Sequence, residues 1–448
     1  MTTLKRATKV SEIPAAFPPA PLSNDEFDTF YVPVDSERDN CLSRVSELKK
    51  KLEGSNTKIL FAGHRGSGKS TELNRLKREI ERDTFFVKFS VVEELDINDI
   101  SYVDLIMVMM EKLASEAVKE RIITTDSKYI KQIKDWLVDV TKIKEEETGY
   151  QLEVQAGIKA NQGVLSLFIG LIAEFKAAIR ASSNNKTVYR NELEKRVTIL
   201  KANCNVLINE IEMGLKAKNQ RLLLVIEDMD KADTRKVQEI LCKHSGILAE
   251  LNTRMIFVVS MFALTTAILA DITGRYTMVS LPMIKVREKN GAPFNAGIDT
   301  IKAVIEKRAE PSLFEKDVIG LLIDNCGGVF RDLFEMIEIA ANAADFRKRQ
   351  TICKENAGYA FERLKAKYRG MITVSNEQKG GITTDGLYDK LVEVCKSTTK
   401  SHSLDEKMLL LLSCLAVVEY NGVQWFDVHP AVKSLLQDMN LLQDVQKT

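Results

Sequence analysis

Proline is scarce in this chain, nine in 448 residues, and tryptophan is scarcer at two. So little proline excludes a collagen-like or low-complexity composition. The seven cysteines (Cys41, Cys204, Cys242, Cys326, Cys353, Cys395, Cys414) are scattered, and the four histidines stand apart. That spacing fits reduced, mostly buried thiols better than a disulfide framework or a zinc site. Charge of one sign is also lacking: 64 basic residues face 63 acidic ones, for a net charge of +1. The balance is unlike the strongly cationic surface that non-specific nucleic-acid binding requires, although a local basic patch is compatible with a neutral total. Residues 1–30 lack the apolar core of a signal peptide. The most apolar stretch, Val164–Ala173, is too short to span a bilayer and reads as a buried core segment, the alternative being a membrane-dipping or interfacial helix. A cytoplasmic protein without a transmembrane segment is expected. With 45% hydrophobic and 28% charged residues, the composition is globular, and the length predicts two or three domains.

What the chain does have is a phosphate-loop pattern. Gly63-His64-Arg65-Gly66-Ser67-Gly68-Lys69-Ser70-Thr71 places four open positions between two glycines and follows with Lys-Ser. It stands behind the apolar run Lys58–Ala62 and ahead of a helical pattern, Thr71–Ile80. Backbone N–H groups, a helix N-terminus and one lysine charge can then hold a triphosphate. Gly63, Arg65, Gly66, Ser67, Gly68, Lys69, Ser70 and Thr71 are the expected nucleotide contacts.

Around this loop the chain reads as alternating strands and helices. Further strands are expected at Thr84–Val91, Arg221–Ile226, Met255–Ser260 and Met278–Ile284, with helical patterns between most of them, the signature of a parallel sheet. The fold class is α/β. Its expected organisation is an N-terminal lead-in at 1–40, a nucleotide-binding core at 41–290 with a helical insertion at about 95–220, a helical lid at 291–375 and a compact C-terminal unit at 380–448.

Hydrolysis needs a metal and an oriented water. Ile226-Glu227-Asp228-Met229-Asp230-Lys231, at the end of an apolar strand, supplies acidic groups for Mg²⁺ and water. Glu227 and Asp228 are therefore the candidate metal residues, and the order of the two carboxylates leaves open which one binds metal and which orients water. Ser260 ends its strand where it can hydrogen-bond the γ-phosphate or the water; the alternative is a serine that simply closes a strand. Arg331, after the Gly327-Gly328 turn, can reach the phosphates as a charged, bidentate donor or serve only as a surface arginine. Arg275 is a weaker candidate for an arginine finger directed at a neighbouring subunit. The guanine-reading Asn-Lys-x-Asp pattern is missing, since Asp230-Lys231-Ala232-Asp233 lacks the asparagine, which favours ATP over GTP. Patterns for a Gly-x-Ser-x-Gly nucleophile, a His-Glu-x-x-His zinc site and a protein-kinase His-Arg-Asp are also absent.

In order, Phe30-Tyr31-Val32-Pro33-Val34 with Glu37-Arg38, Gly63–Leu73, Leu222–Lys231, Val258–Ser260, Gly327–Leu333 and Glu419–Pro430 resemble bacterial P-loop ATPases of the AAA+/STAND group. That group is related to origin-recognition and helicase-loader ATPases and to antiphage-defence ATPases. The resemblance implies an ASCE-type P-loop sheet with a helical insertion, a helical lid and a winged-helix-like C-terminal unit. It implies that Lys69 contacts the β- and γ-phosphates, Ser70 ligates Mg²⁺, Ser260 is sensor 1 and Arg331 is sensor 2. It also sets Tyr31 and Val32 beside the adenine. Its further implication is an ATP-driven switch or assembly protein for a separately encoded effector in a bacterial conflict or antiphage system, and homo-oligomers are compatible with it. The alternatives are a DNA-binding loader or transposition-type regulator, and a nucleotide-binding scaffold with little turnover. Against DNA, the last helical pattern, Ala431–Met439, carries one lysine and one aspartate, which is poor chemistry for phosphate contacts.

Overall fold

The computed structural model describes residues 4–34, 43–148, 163–181, 183–261, 272, 274–374, 381–399, 401–420 and 425–442. Sequence readings that fall on Glu37, Arg38, Cys41 and 421–424 lie outside these residues.

Five strands form one sheet: β1 (Lys58–Gly63), β2 (Thr84–Ser90), β3 (Arg221–Glu227), β4 (Arg254–Val259) and β5 (Thr277–Leu281), in the order β2-β3-β4-β1-β5. β3 pairs parallel with β2 and with β4. Strand β4 lies between the strand that carries the acidic end and the strand that leads into the phosphate loop, as expected of an ASCE-type sheet. Every residue of β1 and β4 is buried, as are Leu222 to Glu227 of β3. Continuous apolar runs of this kind belong to strands covered on both faces.

By internal contacts the chain divides into two compact units. One comprises Leu48–Phe61 and Glu79–Val279. Two buried cations close the starts of its strands. Lys58 Nζ donates to the carbonyls of Asn56, Leu251 and Thr253 at 2.9, 2.8 and 2.6 Å, and Arg254 donates to those of Leu222, Arg221 and Leu52. Carbonyl acceptors offset the cost of taking these charges out of water. Burial still pushes the Lys58 ammonium down to about 8.

Between β2 and β3 this unit carries helices at Tyr102–Lys119, Lys128–Thr148, Val164–Ala181, Ser183–Lys195 and Val197–Lys216. The first starts at a capping box. Ser101 Oγ accepts the Asp104 N–H at 3.3 Å, and Asp104 Oδ2 accepts the Ser101 N–H at 3.0 Å, which satisfies two orphan donors at the helix start. The apolar run at 164–173 lies within the third of these helices, which packs on the first two and buries Phe168, Leu171 and Ile172. Among the described residues no helix is long and apolar enough to cross a membrane.

The other unit comprises Met1–Glu47, Ala62–Arg78 and Ser280–Thr448. It contains α1 (Lys69–Ile80, up to Arg78), then α2 (Asn295–Arg308), α3 (Val318–Cys326), α4 (Phe330–Phe346) and α5 (Lys354–Ile372). After these come α6 (Thr384–Lys396), α7 (Glu406–Ser413), the antiparallel hairpin β6 (Val417–Tyr420) with β7 (Trp425–Val428), and α8 (Pro430–Asp438). The lead-in, irregular by sequence, folds into short helical turns that pack on α4. Phe17 meets Phe334 edge-on at 5.3 Å, and Arg308 donates to the Ala16 carbonyl at 3.1 Å.

Candidate functional site

Strand β1 delivers the chain to the phosphate loop, and α1 takes it away. Between them Ser67 N–H returns to the His64 carbonyl at 3.2 Å, while Gly66 and Gly68 adopt φ of +79° and +93°. Side chains with a Cβ resist that left-handed backbone, so the glycine pattern is a requirement of the turn. Successive N–H groups in such a turn, followed by a helix N-terminus, make an anion-binding concavity. Lys69 is buried, and its ammonium folds back onto the loop, donating to the carbonyls of Gly63 at 2.9 Å and His64 at 2.8 Å. Gly63 and Ser67 are buried, Gly66, Gly68, Ser70 and Thr71 half-buried, and Arg65 exposed.

His64 was not singled out by its position, one of the four open places of the pattern. Its side chain is fully enclosed, and Nε2 accepts the backbone N–H of Glu419 in β6 at 2.8 Å. Burial, aided by the Lys69 charge, pushes the imidazole down to about 3. It is therefore neutral, with its proton on Nδ1.

Arg331 stands in the first turn of α4, exposed and directly beside the loop. A methyl group added to Gly66 would lie 3.3 Å from Arg331 Cβ and 4.0 Å from its Nε. The next residue, Asp332, anchors this helix start. Burial works against its charge, but hydrogen bonds from His429 and Tyr368 (2.6 Å from the tyrosine hydroxyl) and the nearby Lys367 hold the carboxyl far below its ordinary range.

Tyr31 is tied to the helix behind the loop. Its hydroxyl donates to Glu72 at 3.1 Å and accepts from Arg75 at 2.8 Å, while its ring stacks on Phe27. Its carbonyl accepts from Lys307 at 2.8 Å. Val32 follows, half-buried.

The acidic strand end belongs to the other unit. Glu227 is buried; its Oε2 pairs with Lys88 Nζ at 2.9 Å, and its Oε1 is enclosed without a hydrogen-bond partner among the described residues. Asp228 takes φ of +67°, Oδ2 accepting from Ser90 Oγ at 2.6 Å and Oδ1 lying 2.7 Å from Lys231. Lys88 and Ser90 are the polar residues that sequence reading missed here. They alternate along β2, with Ser90 in register with Glu227, and only the pairing of two distant strands brings them to the carboxylates. Ser260 directly follows β4 and is half-buried, whereas Arg275 is exposed and donates to Ser245 Oγ.

Against known families, the model described as the KAP family P-loop domain matches residues 39–272, just over half of the chain. The chain belongs to the KAP family of P-loop domains. No curated protein matches this KAP-family chain. Among solved structures it is similar to Cdc6p from Pyrobaculum aerophilum, at 12% identity and a TM-score of 0.37 over 94% of this chain and 99% of that one. It is similar also to the Aeropyrum pernix ORC1 protein in complex with DNA, at 11% identity and a TM-score of 0.39 over 97% and 98% of the two chains. The third, Drosophila ORC bound to DNA, has 10% identity and a TM-score of 0.34 over 99% and 84%. At such scores these likenesses carry no argument about what the KAP-family chain binds or does.

Proposed function

We propose that this KAP-family protein is a Mg²⁺-dependent ATPase that works as a nucleotide-controlled switch. The observation that carries the reading is the loop itself: two left-handed glycines and a buried lysine at the first residue of a helix. ATP is favoured over GTP because the guanine-reading pattern is missing. Magnesium suits the oxygen donors present, since Glu227 Oε1 is a buried carboxylate oxygen with no hydrogen-bond partner among the described residues, and hard divalent cations take such ligands. Ser70 and Glu227 would hold the ion, which would neutralise charge on the transferred phosphoryl group. Asp228, with Ser90 and Lys231 fixing its carboxylate, is assigned to orienting the attacking water. Ser260 is assigned to the γ-phosphate, and Tyr31 and Val32 to the adenine side. Arg331 beside Gly66 is the proposed reporter of nucleotide state, a charged donor that a γ-phosphate would draw in. Arg275 remains a proposed finger toward a second copy.

The wider role we propose is control of a separately encoded effector in a bacterial conflict or antiphage system. It is supported by the resemblance of the motifs. The domain boundaries proposed from sequence, with the lid at 291–375 and the C-terminal unit at 380–448, go with this reading.

The test is direct. Lys69→Ala should abolish ATP binding, whereas Asp228→Ala should leave binding within about threefold and lower turnover by about a hundredfold or more. Wild-type protein that binds ATP and never hydrolyses it would leave a binding scaffold and end the ATPase reading.

A further inference from the structure

The C-terminal hairpin reaches the phosphate loop at a buried side chain. His64 is fully buried, and its Nε2 receives the Glu419 N–H at 2.8 Å. On an extended strand the N–H and C=O of one residue point to the same side. The Glu419 carbonyl accepts from Met283 N–H at 3.4 Å, so both groups face away from β7. Glu419 and its partner Phe426 therefore form a non-hydrogen-bonded pair of the hairpin. The donor that the hairpin leaves over goes to the histidine.

The neighbouring residue extends the link. Tyr420 hydroxyl donates to the Gly327 carbonyl at 2.7 Å, and the Gly327-Gly328 turn leads into α4, whose Arg331 packs on Gly66. Strand β6 thus bears on the loop at His64 directly and at Gly66 through this turn. The His64 carbonyl also accepts from the Lys69 ammonium. A shift at His64 would move the group that positions the lysine.

We infer that His64 is a positioning residue of the phosphate loop, through which strand β6 sets how tightly the loop holds a nucleoside triphosphate. The inference rests on the nucleotide-binding reading above. Withdrawal of the hairpin breaks the bond between the buried imidazole Nε2 and the Glu419 N–H, a cost that relaxation of the loop would lower. Grip on the nucleotide and placement of the C-terminal hairpin are then two ends of one equilibrium.

The experiment uses the full chain, a fluorescent ATP analogue with Mg²⁺, and hydrogen exchange of residues 63–71 measured without nucleotide. His64→Leu removes the acceptor at similar volume, and His64→Gln returns an oxygen near the Nε2 position. Glu419→Pro removes the donor from the side of β6 that does not pair with β7. We expect His64→Leu to weaken binding about tenfold or more, and His64→Gln to stay within about threefold of wild type. Glu419→Pro should match His64→Leu, the double variant should be no weaker than either, and loop exchange should quicken in both single variants. His64→Leu binding like wild type overturns the inference. So does His64→Gln failing as badly as His64→Leu, or the leucine and proline effects adding. If Glu419→Pro does not fold, the two His64 variants decide. Should wild type bind no analogue, the nucleotide reading fails on its own, and unchanged loop exchange in His64→Leu then overturns the inference separately.

Discussion

His64 holds no second proton because water is excluded from it, because the Lys69 charge is near, and because Nε2 already accepts an N–H. An unfolded histidine titrates at 6.5, whereas the folded one is pushed down to about 3. Between those values the unfolded chain binds a proton that the folded chain refuses, so stability rises with pH across this window and is complete above it. Acidifying from pH 7 to 5 should cost about 2 kcal/mol through this residue alone. His64→Gln should lose correspondingly less over the same interval in chemical denaturation, and equal losses in the two proteins would refute the assignment. The histidine occupies a place where the phosphate-loop pattern tolerates any residue, so its role was not legible from the motif. Lys69 and Ser70 are specified by the pattern itself. Glu227 and Asp228 were legible as a pair, but their partners Lys88 and Ser90 were not.

At the scale of elements, the five strands were readable because each is an apolar run of strand length bounded by polar residues. Their order was not, and it decides which polar residues meet. The turn at Gly327-Gly328 shows how closely the elements of one unit approach each other. Gly328 has φ of +82°, and a methyl group there would lie 1.8 Å from the Ile284 carbonyl oxygen. Backbone on both sides of the clash cannot swing away as a side chain can. Gly328→Ala should therefore lower stability by about 3 kcal/mol or more and weaken nucleotide binding with it, because the turn delivers Arg331 to the loop. Unfolding midpoints that match wild type would show that the turn tolerates the shift. The lead-in was the element least legible from sequence. Its prolines and short apolar groups carry no helical period, yet Ile13, Ala16 and Phe17 are all buried.

For the whole molecule, a ligand that binds only the folded protein must stabilise it. Mg²⁺ and ATP at a hundredfold excess over Kd should add about 2.7 kcal/mol to the stability of the unit that holds the loop. A thermal scan should show Tm rising with Mg-ATP in wild type, little rise with GTP, and none in Lys69→Ala. A wild-type Tm that ignores millimolar Mg-ATP would remove the nucleotide from the proposed function. The charge balance bears on the DNA alternative at the same scale. The lysine of α8, Lys433, is 2.7 Å from Asp427, and Lys365 of α5 pairs with Asp438. Cations engaged in this way have less to offer a phosphate backbone, whose binding would betray itself by a steep dependence on salt.

The sequence by itself determined the α/β class, the nucleotide loop and the acidic strand end. Each of these is written in consecutive residues whose local geometry follows from glycine freedom, apolar runs and strand-end carboxylates. Only the tertiary structure decided what surrounds them. His64 meets Glu419 across 355 residues of chain, and Ser90 meets Asp228 across 138. A hydrogen bond to a distant backbone amide or strand neighbour leaves no period and no motif, since its partner is selected by packing alone.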